Sequence, residues 1–221
     1  MREAFHDQLE HITDKLVGMT RKCGEQMNSA TIALLEADIH RADMTIAGDA
    51  SINRDQLEVD EQVLELIATQ APVAGDLRAV MSALRNTTTL ERMGDLAVHV
   101  AKVARMRYPD IAVPEEFRVT FAEMGRVAEA MATKAGQVLR TRDLEVADEL
   151  ESDDDQMDRL HRSLFLVLLD TDWRTSVEVP IDIALLGRYY ERFADHAVHV
   201  AVNVRYLVTG EVEWAGNAPG H

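Results

Sequence analysis

The sequence predicts an all-α fold, built as two tandem antiparallel three-helix bundles related by an internal repeat. Three observations carry this. Residues 91–101 read ERMGDLAVHVA and residues 191–201 read ERFADHAVHVA, identical at eight of eleven positions and one hundred residues apart; such self-similarity marks two copies of one supersecondary unit. Apolar residues recur in steps of three and four along most of the chain, the period of an amphipathic helix. Aromatics make up only 5% of the residues, and no alternating strand pattern competes.

Taken in order, the first helix covers residues 3–37, with Phe5, Leu9, Ile12, Leu16, Met19, Cys23, Met27, Ala30 and Leu34 on one face. A polar turn at Asp38–Asp43 leads to a second helix carrying Ile46, Ile52, Val59, Val63, Leu66 and Ile67. It stops near Ala71-Pro72, because proline disfavours helix in the residue before it. A third helix runs from Gly75 to Arg107 and contains the first motif copy. Tyr108–Pro114, with two prolines in seven residues, is the linker. The plan then repeats. A helix with Phe117, Phe121, Met124, Ala128, Met131, Ala135, Val138 and Leu139 precedes an acidic helix with Met157, Leu160, Leu164, Leu168 and Leu169. Asp172–Val179 makes the second connection, and a last helix to Val208 holds the second motif copy. The expected units are residues 1–109 and 114–209, followed by a Gly- and Pro-containing flexible tail at 210–221.

Composition narrows the function. The 221 residues are 47% hydrophobic and carry a net charge of −16. A surface so acidic repels phosphate backbones and anionic lipid, so nucleic-acid binding and direct membrane insertion are not expected. Metal cations and basic protein patches are the matching partners. A single cysteine, Cys23, excludes an internal disulfide and reads as buried and inert. The first sixteen residues mix charges without a signal-type apolar core, and the run Leu164–Leu169 is far shorter than a membrane span. A cytoplasmic protein is expected.

Chemistry concentrates in the repeated motif. Glu91/Asp95 and Glu191/Asp195 stand four apart, with His99 and His199 four further on, so each set shares one helix face. Counting in sevens places the first carboxylates in the stripe Leu77, Leu84, Glu91, Val98, and the second in Val177, Ala184, Glu191, Val198. A carboxylate inside an apolar stripe requires a cation, a hydrogen-bond network or a metal. Arg92, Arg192 and Arg188 offer ordinary ion-pair partners. Hard carboxylate oxygens equally suit Mg, Mn, Fe or Zn. His99, His199 and His196 read as structural. Met19, Met27, Met81, Met93, Met124 and Met131 read as core filler. No nucleophile–base motif, phosphate loop or His-Glu-x-x-His is present, and no enzymatic activity is expected. A ferritin-like di-iron bundle would need paired Glu-x-x-His motifs, and only Glu3–His6 fits.

The run QAPVAGDLRAVMSALRNTTTLERMGDLAVHVA (70–101), with ERFADHAVHVA later, resembles the PhoU family of phosphate-transport regulators. The resemblance extends over residues 5–209. It implies two three-helix bundles and a negative regulator of phosphate uptake and of the phosphate-starvation response. The implied role is an adaptor between the transporter's ATPase subunit and a phosphate-sensing histidine kinase, assembled as a homodimer. It also implies surface clusters of iron or zinc. The ligands it implies are Glu91 and Asp95 with Asp49 in the first half, and Glu191 and Asp195 with Asp154 and Asp158 in the second. Gln56 stands where the family commonly has an acid, and Asn53 stands opposite Asp158. A single cluster is therefore expected in the second half. The acidic helices align at an offset of either 100 or 105 residues. A metal-free helical scaffold is the alternative function on the same fold.

Overall fold

The computed structural model describes residues 2–170 and 177–211. Six helices follow one another: α1 (Arg2–Glu36), α2 (Ile39–Gln70), α3 (Gly75–Arg107), α4 (Glu115–Thr141), α5 (Leu144–Asp170) and α6 (Glu178–Thr209). The connection predicted at Asp172–Val179 lies partly, and the tail almost wholly, outside the described residues.

Local chemistry sets the boundaries. The Asp38 carboxylate accepts the Arg41 N–H at 2.9 Å and caps α2. The α2 helix closes on Ala71 and α4 on Arg142, both left-handed, whereas Gly210 closes α6 with the residue type that suits φ 75° best. Asp143 accepts the Glu145 N–H at 2.9 Å and starts α5.

The two copies pack along their whole lengths. Helices α1 and α4 run antiparallel: Asp14 meets Arg140 at 2.5 Å, Asn28 meets Glu129 at 2.5 Å, and the Leu35 carbonyl accepts from Arg118 at 2.5 Å. Helices α3 and α6 are antiparallel as well. Asn203 donates to Asn86 at 2.9 Å near one end, and Arg107 donates to Asp182 at 2.6 Å at the other. The apolar core is therefore one continuous cluster drawn from all six helices. Five of the six methionines expected in the core are buried there; Met81 is instead 38% exposed. Cys23 is fully buried, donates its thiol to the Leu90 carbonyl at 3.2 Å, and is pushed to a higher pKa by burial.

The stripe counted in sevens is not the core seam. Leu77 is 40% and Val177 70% exposed, while the buried line of α3 runs through Leu90, Met93, Ala97, Val100 and Ala104. A straight helix drifts about 20° per heptad, so a seven-residue count walks from core to margin. Glu91 and Glu191 lie on that margin.

Candidate functional site

In the first half, Asp49 on α2 comes up against the motif on α3. Gly94 makes the approach possible, since a Cβ there would lie 2.9 Å from Ile52 Cδ1 and 3.6 Å from Asp49 Oδ1. Asp49 Oδ2 accepts from Asn53 at 2.9 Å; its Oδ1 is buried and has no partner among the described residues. Arg92 lies 3.6 Å from Glu91 and 3.3 Å from Asp95. Burial first, and the neighbouring Asp95 second, hold Asp49 and Glu91 above the usual carboxylate range.

The second half is more crowded. Burial, reinforced by Asp195, Asp158 and Glu191, pushes Asp154 on α5 up to about 7. Glu191 is raised by burial and then by Asp195, partly offset by its ion pair with Arg188. Among the described residues, Asp158 has a distant ion-pair partner, Arg162 at 4.0 Å. Asp154 Oδ1 and Glu191 Oε2 are buried without partners among the described residues. The pairing also resolves the register: Asp49 corresponds to Asp154, each facing the Asp of its own motif, so the acidic helices are offset by five residues from the spacing of the motifs.

All seven sequence-predicted residues thus fall into two groups, Asp49, Glu91 and Asp95 on α2–α3 and Asp154, Asp158, Glu191 and Asp195 on α5–α6. The donor chemistry fits a divalent cation, three of the oxygens being buried and unfilled. Among the described residues, however, no group of three or more His, Cys, Asp or Glu side chains is arranged to hold a metal ion. Side-chain rotation would have to draw the oxygens together. The same carboxylates are partly neutralised by Arg92 and Arg188, whereas Arg192 forms no ion pair among the described residues.

The sequence reading did not single out His161. It follows Asp154 and Asp158 on the same face of α5, beneath Gly187, and its Nε2 is buried without a partner among the described residues. Burial lowers its pKa, and Arg188 lowers it further. Its i+7 and i+3 spacing from the two aspartates was the available signal. Also unsingled was Tyr190, fully buried with its hydroxyl 2.7 Å from Thr31 on α1. His99 takes a structural part, its Nδ1 at 2.7 Å from the Asp95 carbonyl and its ring 5.2 Å from that of Tyr189. Among the described residues no helix is long and apolar enough to cross a membrane.

Known proteins share this fold. The PhoU domain family matches residues 16–104 and 121–204, once per half. The phosphate-specific transport system accessory protein PhoU homolog 1 of Mycobacterium leprae is 45% identical over all of this chain and 99% of its own length. Homolog 2 of Mycobacterium tuberculosis is 46% identical over 95% of this chain and 99% of its own length. The crystal structure of PhoU from Pseudomonas aeruginosa superposes with a TM-score of 0.84 at 27% identity, covering 94% of this chain and all of that one. A family match in each half, full-length relatives and a shared six-helix fold agree: the chain belongs to the PhoU domain family.

Proposed function

We propose that the protein is a non-catalytic regulator of a phosphate transport system. It represses phosphate uptake and the phosphate-starvation response by acting as an adaptor between the transporter's ATPase subunit and a sensor histidine kinase, in the cytoplasm and as a homodimer. The observation that carries this reading is the doubled carboxylate face within a chain whose full-length relatives are named as accessory proteins of phosphate transport. Deleting the gene is expected to make phosphate-starvation genes constitutive, as followed by a transcriptional reporter in phosphate-rich medium. Normal repression in the deletion strain sinks the reading.

The acidic faces are proposed cation sites. Asp154, Asp158, Glu191 and Asp195 would hold Fe, Zn, Mn or Mg in the second half, and Asp49, Glu91 and Asp95 in the first. A bound dication would supply the positive charge that these mutually repelling carboxylates lack. The second half is the stronger candidate because its four half-buried acids crowd together at the α5–α6 interface. Elemental analysis of untagged protein should find near-stoichiometric metal that a Glu191→Ala/Asp195→Ala variant loses. The Arg92 and Arg188 ion pairs favour a second reading, a metal-free scaffold whose acidic faces dock basic partners. Absence of metal from both proteins selects it.

A further inference from the structure

Internal duplication provides a ruler for what is missing from one half. The burial pattern of residues 81–90 repeats residue for residue in 181–190, and α3 and α6 pair antiparallel across the axis relating them. On one side of that axis the Tyr189 ring of α6 lies against the His99 ring of α3, centroids 5.2 Å apart. The mirrored position pairs His199 with Thr89. A phenol ring is replaced there by a side chain of three heavy atoms, and Thr89 and His199 line a hollow of about 420 Å³.

The lining specifies an occupant. Thr89 already donates its hydroxyl to the Arg85 carbonyl at 2.9 Å, and Thr88 donates to the Leu84 carbonyl at 3.3 Å. Asn203 spends an amide N–H on Asn86. These three residues therefore offer the hollow mainly acceptor oxygens, which repel a bare oxyanion and welcome an O–H donor. One cation stands at the rim. The Arg85 guanidinium lies 5.3 Å from the Tyr206 ring centroid and makes no ion pair with a carboxylate among the described residues. In a chain of net charge −16, this hollow is lined by no acid and carries an arginine that pairs with no carboxylate among the described residues.

We infer that this hollow is a socket for a tyrosine side chain with an adjacent carboxylate, presented by a segment of a partner protein. The ring takes the place against His199 that Tyr189 takes against His99. The phenol O–H donates to the Thr89 or Asn203 oxygen, and the neighbouring carboxylate meets Arg85. The hollow is open, which suits a side chain anchored on a larger partner rather than an enclosed small molecule. The inference rests on the adaptor reading only in taking the occupant to be a protein segment.

The test uses the full chain and the tetrapeptide acetyl-Gly-Asp-Tyr-Gly-amide, whose single acid limits repulsion from the acidic surface. Backbone amide NMR titration of the wild type is expected to shift the Thr89 and His199 signals, with binding at least tenfold tighter than for the same peptide bearing Ala in place of Tyr. Thr89→Tyr, which installs the ring found in the mirrored position, should abolish that preference. Arg85→Gln, at an exposed position that leaves the core untouched, should weaken the Tyr peptide severalfold. Equal binding of the Tyr and Ala peptides, no binding to the wild type at millimolar peptide, or an unimpaired Thr89→Tyr variant would overturn the inference. None of these outcomes alters the deletion-strain result, so the two readings fail separately.

Discussion

Asp154 shares the α5–α6 interface with Asp158, Glu191 and Asp195, and no cation pairs with it among the described residues. Its carboxyl, pushed up to about 7, stays protonated over a range in which the unfolded chain ionises near 4. The folded state then binds the extra proton, so this residue contributes stability that is fully present below about pH 4 and is lost as pH rises through 7. Asn at this position keeps the neutral form at every pH. In chelator-treated protein, Asp154→Asn is expected to raise the melting temperature at pH 8 and leave it nearly unchanged at pH 4. An equal gain at both pH values would show that charge is not what limits this position. The sequence showed the acid and its neighbours; it could not show that Asp154 faces Asp195, because two registers of α5 satisfied the same pattern.

At the scale of elements, the α1–α4 seam is held close by glycines. A Cβ at Gly125 would lie 2.6 Å from both Thr31 Oγ1 and Cγ2, and one at Gly136 would lie 2.5 Å from Thr20 Oγ1. Thr31 cannot simply swing away, since its hydroxyl donates to the Met27 carbonyl at 2.7 Å and contacts the buried Tyr190 hydroxyl. Gly125→Ala should therefore cost about 1–3 kcal/mol in denaturant unfolding, as overpacked sites do. Thr31→Ala in the same chain should recover part of that loss by removing the clashing atoms. If Gly125→Ala is neutral, the helices can separate without penalty and the seam is looser than drawn. Glycine inside a helix reads from sequence only as a weakening of about 1 kcal/mol; its use as a contact point belongs to the partner helix.

The whole molecule is one body. Repeat one turns α1 toward α4 and α3 toward α6, so a half-chain would leave two long apolar faces in water. Arg107 adds a tie between the halves, reaching the buried Asp182 at 2.6 Å and Glu178 at 2.6 Å. Residues 1–109 alone are expected to show no cooperative melting transition, whereas the full chain melts in a single one by calorimetry. Two separable transitions in the full chain would mean that the halves are independent bundles.

Helix number, most helix limits and the two Glu/Asp pairs were legible in the sequence itself, although α2 begins at Ile39, inside the expected Asp38–Asp43 turn; Asp49, Asp154 and Asp158 were singled out through the family resemblance. What was legible depends on local chemistry: the 3.6-residue period, a proline that stops a helix, and a motif written twice. Contacts between residues far apart in the chain needed the tertiary structure. It put Glu91 and Glu191 on the margin of the core rather than in it, because a heptad count drifts around the helix. It set Asp154 against Asp195 and placed His161 beside them. The hollow at His199 is likewise lined from two antiparallel helices, with Thr89 standing where the other half has a tyrosine.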